Sequence, residues 1–269
     1  MILERKLFKN GNICNEASAI LSKIKEFDIE KLEEELSISK EKLYNHKNWA
    51  VDDNNDYYYY KTLQNYNDFI GEELAETLNL PTAHYIVGKL NNEYVVASKN
   101  FNVEKIKYLD AFDLISDEFH KNNLEKLKYL ENMYGKSLVL DILKMTSLDI
   151  LSRQIDRVPS NYAFEKKDGI LSLAPLYDYS FAFFSEENYK YFNYILSLDF
   201  NSKNIRKEID SIINNYPEFY EYISIMNEID LSNLINKIIE KNNFNYNEYL
   251  SLKYKKENES SHKLLKKIL

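Results

Sequence analysis

The chain of 269 residues has few of the residues that punctuate or cross-link a fold: five glycines, four prolines and one cysteine. Cys14 stands alone and cannot form an intrachain disulfide, which fits a reducing compartment. The sequence has no run of about 18 apolar residues, so it predicts no membrane-spanning helix. The charged residues among the first ten are unlike the apolar region of a signal peptide. A cytoplasmic location is therefore the default expectation.

Basic charge is also scarce. The formal net charge of −8 argues against general nucleic-acid binding, because phosphate backbones need a basic surface. Lysine supplies most of the cations, and the arginines are Arg5, Arg153, Arg157 and Arg206. The four histidines are scattered and, with Cys14, give no spacing typical of a zinc site. Neither a P-loop nor a Gly-x-Ser-x-Gly motif occurs.

Hydrophobic periodicity divides the chain into a β-rich part and a helical part. Residues 15–44 are predicted to be helical, and a strand is predicted from Tyr57 to Lys61. A helix over 68–79 and two strands, 84–90 and 93–101, should follow. The remainder is predicted to form a hairpin at 162–174 and helices at 107–117, 122–133, 136–152, 203–214, 217–228 and 230–243. The helix at 136–152 is apolar nearly all round and should therefore be buried. These elements indicate an α+β fold.

The segment from Asp156 to Asp178 carries the clearest chemistry in the sequence. Asn161 follows Asp156 by five residues, and Asp178 lies within the stretch L-A-P-L-Y-D-Y-S. Phosphoryl transfer uses a carboxylate to orient the attacking hydroxyl, an Asn and a second Asp to hold Mg²⁺, and a lysine to grip the phosphates. The interval from Asp156 to Asn161 equals that of the protein-kinase catalytic loop.

The stretch L-D-I-L-S-R-Q-I-D-R-V-P-S-N-Y-A-F, followed by L-A-P-L-Y-D-Y-S-F, resembles the C-terminal lobe of HipA-like serine/threonine kinases. That family shares its catalytic core with phosphatidylinositol 3/4-kinase-like enzymes. The resemblance implies a two-lobed kinase-like fold, ATP and Mg²⁺ as cofactors, and a protein as phosphate acceptor. It implies that Asp156 is the catalytic base and that Asn161 and Asp178 are metal ligands.

The same resemblance implies a division of the chain. Residues 44–102 would form a small β-rich N-lobe, residues 103–269 a mostly helical C-lobe, and residues 1–43 a helical extension. Strand, helix, strand and strand in succession, with a lysine ending the first strand, is the order of elements in a kinase N-lobe.

Residues of the N-lobe would complete the nucleotide site. Lys61 ends a predicted strand and precedes a helix, as the phosphate-gripping lysine does. Its acidic partner on that helix is predicted to be Asp68 or Glu72, with Glu73 and Glu76 as further possibilities. Val96 and Ser98 lie in the stretch expected to contact adenine. Arg153 and Arg157 flank Asp156, and Arg157 is predicted to serve at the catalytic loop, because a guanidinium can pair bidentately with carboxylate or phosphate. The alternative is that either arginine pairs with a structural carboxylate.

Two departures from the kinase pattern keep a second interpretation open. Val158 stands where the family usually has His, and residues 45–56, where the glycine-rich phosphate loop is expected, contain no glycine. A catalytically weak or inactive kinase-fold protein that acts as a binding or regulatory module is therefore the alternative. Transfer to a small molecule or a lipid headgroup also stays open, because one core serves several acceptors.

Overall fold

The computed structural model describes part of the 269-residue chain. That part comprises residues 57–62, 66–90, 93–99, 121–179 and 189–242, the short stretches 8–9, 12–13, 25–26, 49–51, 108–109, 111–115 and 182–183, Phe101, and parts of 256–269. Among these residues no helix combines the length and the apolar character needed to cross a membrane.

The described residues form twelve strands, and the first eight lie within the first 110 residues of the chain. They are β1 (Phe8–Lys9), β2 (Asn12–Ile13), β3 (Lys25–Glu26), β4 (Trp49–Val51), β5 (Tyr57–Thr62), β6 (Tyr85–Leu90), β7 (Glu93–Lys99), β8 (Tyr108–Leu109), β9 (Phe164–Lys167), β10 (Ile170–Leu173), β11 (Lys190–Phe192) and β12 (Ser197–Asp199). The helices are α1 (Asn67–Thr77), α2 (Ala111–Ile115), α3 (Asn123–Tyr134), α4 (Lys136–Ser152), α5 (Ile205–Ile213), α6 (Glu218–Glu228) and α7 (Leu231–Asn242).

A five-stranded antiparallel sheet forms the small lobe, in the order β3-β4-β5-β7-β6. The tyrosine-rich strand β5 alternates its side chains, so that Tyr58 enters the core while Tyr59 and Lys61 share the other face. Helix α1 contacts β6, where the ring of Phe69 meets that of Tyr85 edge to face. Phe69, Ile70 and Leu74 of this helix are fully buried. The predicted succession of strand, helix, strand and strand is confirmed.

Strand β3 corrects the predicted helix over residues 15–44. Lys25 and Glu26 pair with Val51 and Ala50 at the edge of the sheet. The expectation of helix is therefore wrong at these two residues, because pairing with an open sheet edge overrides local helical periodicity. The other residues of 15–44 lie outside the described part of the chain.

Helix α4 lies at the centre of the large lobe. Nearly every residue from Leu138 to Ser152 is buried, as its apolar sequence predicts, and α3 and α6 pack against it. The predicted hairpin is β9–β10, which turns at Asp168 and Gly169. The predicted helices at 203–214, 217–228 and 230–243 are confirmed as α5, α6 and α7.

The helix predicted over 107–117 is correct only in part. Residues Ala111–Ile115 form α2, but Tyr108 and Leu109 form β8 and pair with Glu165 and Phe164 of β9. The apolar residues before Ala111 therefore add a strand to the hairpin sheet, which has the order β10-β9-β8. At Tyr108 and Leu109, sheet pairing again overrides the helical periodicity of the local sequence.

The two lobes are joined through the segment that precedes Asp178. Backbone hydrogen bonds run from Ala83 N–H to the Leu176 carbonyl and from Leu176 N–H to the Pro81 carbonyl, each 2.8 Å long. The ring of Tyr179, the residue after Asp178, packs directly on Gly71 of α1. A Cβ atom on Gly71 would lie 2.2 Å from Cγ of Tyr179, so only glycine admits this contact.

We expect Gly71→Ala to destabilise the protein, although alanine is the better helix former by about 1 kcal/mol. The added methyl group must displace Tyr179, and overpacking of this kind costs roughly 1–3 kcal/mol. The free energy of unfolding, measured by chemical denaturation, should fall. Thr77→Ala, an exposed change on the same helix, is the control and should stay within about 0.5 kcal/mol of wild type. A Gly71→Ala variant more stable than wild type would contradict the contact.

Candidate active site

Lys61 lies between two carboxylates that come from different lobes. Its Nζ atom is 3.0 Å from Asp68 of α1 and 2.9 Å from Oδ1 of Asp178. Strand β5 and helix α1 are consecutive, which explains the first contact. The second joins residues 117 positions apart and depends on the docking of the lobes. The structure therefore brings together three of the residues predicted for the site.

The electrostatics of this cluster favour a charged lysine. Burial alone would lower the pKa of Lys61, but the charges of Asp68 and Asp178 raise it above its ordinary value. Burial raises the pKa of Asp68, and the charge of Lys61 opposes that rise. Asp68 is almost fully buried, so Lys61 is the cation that makes its ionised form tolerable.

Glu72 is the other acid predicted as a partner of Lys61, and it makes different contacts. Its Oε1 atom lies 2.8 Å from Nδ1 of His84, and its Oε2 atom accepts a 3.1 Å hydrogen bond from the backbone N–H of Tyr85. Glu72 therefore ties α1 to the start of β6. Of Asp68 and Glu72, Asp68 is therefore the acid that pairs with Lys61.

The backbone of Asp178 and of the next residue is fixed by hydrogen bonds to side chains. Asp178 has a left-handed conformation, with φ of 55°, which Asp tolerates better than most residues. Its N–H donates to the hydroxyl of Tyr85 (2.9 Å), and its carbonyl accepts from Nε2 of Gln154 (3.2 Å). The next N–H, of Tyr179, donates to Asp68 (3.0 Å). The direction of the Asp178 carboxylate is therefore fixed by its surroundings.

Asp156 and Asn161 face each other across a short 3₁₀ turn, Pro159–Asn161, that Val158 precedes. The Asn161 amide nitrogen donates to the Asp156 carbonyl (2.7 Å) and to its carboxylate Oδ2 (3.0 Å). The amide oxygen of Asn161 is then the atom that can ligate a cation. Burial raises the pKa of Asp156, the hydrogen bond from Asn161 lowers it, and the charge of Asp178 raises it further.

Arg157 was predicted to serve catalysis, but its position does not fit that role. It is fully buried and makes hydrogen bonds of 3.0–3.3 Å to the carboxylate of Asp149 on α4. Its Nη1 atom also donates to the backbone carbonyls of Asn161 and Tyr177, each at 3.0 Å. Arg157 is therefore a positioning residue, which holds the loop of Asn161 and the segment before Asp178 in one place.

Arg157 and Asp149 form a fully buried ion pair. Burial alone would lower the pKa of Arg157, but Asp149 raises it above its ordinary value. Burial raises the pKa of Asp149, against the influence of Arg157 and of the hydroxyl of Tyr191, which donates to Asp149 at 3.1 Å. Such a pair is stable only because each charge has the other.

Val96 and Ser98 lie in the middle of β7, the strand between β5 and β6. Val96 pairs with Lys61 and Val87, and Ser98 with Tyr59 and Tyr85. In the interior of an antiparallel sheet the backbone donors and acceptors are directed to the neighbouring strands. This position does not fit the adenine contacts that the sequence predicts for these two residues.

Sequence reasoning missed three residues that hold the site together: Asp149, Gln154 and Tyr85. Gln154 links both acid-bearing segments, because its Oε1 accepts from the N–H of Asp156 (3.4 Å) while its Nε2 donates to the carbonyl of Asp178. Of the three, only Asp149 carries a sequence signal, since a carboxylate inside an otherwise apolar helix needs a buried partner.

Oxygen atoms dominate the part of the cleft that the structure describes. Asp178, Asn161 and Asp156 offer carboxylate and amide oxygens, which are the ligands that Mg²⁺ and Mn²⁺ prefer. Lys61 adds a cation beside them. The residues present therefore fit a divalent cation together with an anionic phosphate ligand.

Comparison with known proteins supports the fold. No family model and no curated protein matches the chain. Among solved structures it is similar to the proinflammatory kinase CtkA of Helicobacter pylori, with a TM-score of 0.57 and 17% sequence identity over 81% of this chain and 94% of that one. It is also similar to a structure of the HipA, HipB and operator DNA toxin–antitoxin complex of Shewanella oneidensis MR-1, with a TM-score of 0.55 and 11% identity.

The second match covers 79% of this chain and 58% of the solved chain. At such identities the likeness shows the fold. The predicted two-lobed, kinase-like α+β fold is confirmed, and so, at the level of the fold, is the resemblance to HipA-like kinases.

We expect Arg157→Met to cost about 3–5 kcal/mol in the free energy of unfolding, because it leaves the buried charge of Asp149 without its partner. Arg206 is the matched control. It pairs with Asp210 at 3.1 Å on the exposed surface of α5, and Arg206→Met should cost at most about 0.5 kcal/mol. Adding Asp149→Leu to Arg157→Met should recover part of the loss. Equal stability of the two single variants would contradict the assigned role of Arg157.

Proposed function

We propose that this chain is an ATP- and Mg²⁺-dependent phosphotransferase of the kinase type, which acts on serine or threonine of a protein. One observation carries the proposal: Lys61 contacts both the acid on the adjoining helix, Asp68, and the acid after the catalytic loop, Asp178. In protein kinases the corresponding lysine pairs with an acid on the helix and serves the phosphates, while the second acid holds metal.

The sheet order gives further support. In chain order, the first three strands of the five-stranded sheet are β3, β4 and β5. Lys61 lies on β5, the third of them. Protein kinases carry the phosphate-gripping lysine on their third strand. We therefore propose an N-lobe over residues 44–102 to which Lys25–Glu26 adds an edge strand, a C-lobe over 103–269, and an extension formed by the rest of 1–43.

Five of the predicted residues then have a role in the transfer. Asp156 accepts the proton of the attacking hydroxyl, whose oxygen bonds to the γ-phosphorus of ATP while the bond to the β,γ-bridging oxygen breaks and ADP leaves. Asn161 and Asp178 hold Mg²⁺, which offsets negative charge on the phosphates when it is bound. Lys61 grips the phosphates while Asp68 keeps it in place. Arg157, Gln154 and Tyr85 keep these groups aligned, which is a large part of catalysis in such enzymes.

The proposed setting follows from these requirements. We propose a cytoplasmic location, where ATP and Mg²⁺ are available as cofactors. A chain with a single cysteine is consistent with that reducing compartment. The net charge of −8 supports a protein acceptor over a nucleic acid.

A second candidate function is a kinase-fold module that binds nucleotide without turnover. Two features of the chain favour it. Val158 replaces the histidine of the family's loop, and no glycine occurs between Gly11 and Gly71, although kinases cover the phosphates with a glycine-rich loop. The two functions share the metal and lysine residues and differ in whether Asp156 acts.

The proposed function predicts that the chain binds nucleotide. Mg²⁺ and ATP together should raise the free energy of unfolding by about 2.7 kcal/mol at a hundredfold excess of nucleotide over its Kd, whereas ATP with a chelator should raise it less. Asp178→Asn should lose the Mg²⁺-dependent part, because it removes a ligand charge while Asn still accepts the left-handed backbone.

Asp168→Asn is a closely matched control for that experiment. Asp168 has φ of 52°, close to the 55° of Asp178, but lies exposed at the tip of the β9–β10 hairpin. This variant should keep the full stabilisation by Mg²⁺ and ATP. Loss of the effect in both variants, or in neither, would count against Asp178 as a metal ligand.

Turnover separates the two candidate functions. Asp156→Ala should reduce phosphate transfer from γ-labelled ATP, to the chain itself or to a generic protein acceptor, by about 10²–10⁴-fold, because it removes the general base. Stabilisation by Mg²⁺ and ATP should persist in this variant. Asp210→Ala, on the exposed surface of α5, is the control and should transfer normally.

The possible results differ clearly. Wild-type transfer that is lost in Asp156→Ala supports the enzyme. Nucleotide binding without transfer in the wild type supports the binding module. Normal transfer in Asp156→Ala would overturn the assignment of the base.

A further inference from the structure

Three metal-ligating side chains meet beside α1, at residues other than the proposed Mg²⁺ ligands. Glu72 and Glu76 are four residues apart on the helix and therefore lie on one face. His84 comes from the loop that precedes β6. One ligand atom from each residue lies within 4.8 Å of the other two. The sequence spacing of the histidines gave no sign of a metal site, and the turn between α1 and β6 creates this cluster.

Glu72 provides a fixed ligand at the base of the cluster. Its side chain is fully buried, with 0% exposure. One carboxylate oxygen accepts from the N–H of Tyr85 at 3.1 Å, which orients the group, and the other lies 2.8 Å from the imidazole of His84. Hydrogen bonds that orient a carboxylate in this way are typical of the groups that support metal ligands.

The other two ligands are open to solvent. The side chain of His84 is 76% exposed, and Glu76 is exposed on α1. A cation can therefore reach the cluster from solution, and water can complete its coordination. The cluster joins a buried anchor to two accessible ligands, which distinguishes it from a group of surface acids.

We propose that Glu72, Glu76 and His84 bind a divalent transition-metal ion such as Zn²⁺. An imidazole nitrogen with two carboxylates is a donor set that zinc accepts, with water in the remaining position. Mg²⁺ prefers oxygen ligands throughout, so the histidine selects against it. The site is separate in residues and in metal preference from the one assigned to Asp178 and Asn161, and it does not rest on the proposed phosphotransfer.

A metal at this position would reinforce the elements that hold the cleft. It would join α1, which carries Asp68, to the start of β6, where Tyr85 accepts a hydrogen bond from the N–H of Asp178. Both elements determine where Lys61 and Asp178 lie. Bound metal should therefore stabilise the arrangement of these residues without contacting substrate.

The test uses the full chain without a histidine tag and without nucleotide. Isothermal titration with Zn²⁺ should give one ion per chain, and Co²⁺ in its place should give a visible absorption band of a nitrogen- and oxygen-ligated site. His84→Ala and Glu76→Gln should each weaken binding roughly tenfold or more, because each removes a ligand. Both residues are exposed, so the variants should keep the fold, which circular dichroism checks.

Matched controls come from the same helix and the same residue types. Glu73→Gln, next to Glu72 on α1, and His262→Ala, elsewhere in the chain, should bind Zn²⁺ as the wild type does. Asp178→Asn should also keep the site. Unchanged affinity in His84→Ala, absence of stoichiometric Zn²⁺ binding by the wild type, or loss of binding in Asp178→Asn would each overturn the proposal. None of these results depends on whether the chain transfers phosphate.

Discussion

The ion pairs of Lys61 are the contact on which the arrangement of the cleft depends. They join β5 to α1 over seven residues and to the segment of Asp178 over 117 residues. Asp68 is nearly fully buried, so its charge must be matched within the protein. Lys61 matches that charge and, through the same ammonium group, contacts the segment of Asp178. Tyr179 on Gly71 adds a steric constraint at the same junction.

A second buried ion pair fixes the other half of the site. Arg157 joins α4, through Asp149, to the backbone of Asn161 and Tyr177. The guanidinium pairs with the carboxylate through Nε and Nη2 and with both carbonyls through Nη1, a geometry that the single nitrogen of a lysine cannot copy. Gln154 continues this connection to the backbone of Asp156 and Asp178. The acids of the cleft are thus held by polar groups behind them that do not themselves face a substrate.

Local sequence patterns predicted most helices after residue 120, since these depend on short-range order. The apolar helix α4, the hairpin at Asp168 and the interval from Asp156 to Asn161 are all visible in the sequence. The choice between Asp68 and Glu72 was not, because both lie on one face of α1 and the docking of β6 decides between them. The edge strand at Lys25–Glu26 and the burial of Arg157 likewise depend on tertiary contacts that periodicity cannot report.

The formal charges of the described cleft residues do not cancel. Lys61 contributes one positive charge, and Asp68, Asp156 and Asp178 contribute three negative charges, which leaves a net charge of −2. A triphosphate entering alone would meet this negative field and a lysine already engaged by two acids. Under the proposed function, a divalent cation held by the carboxylate of Asp178 would balance the excess, and Lys61 could then direct one of its hydrogen bonds to phosphate. Under the same proposal, metal and nucleotide binding would depend on each other through the contact between Lys61 and Asp178.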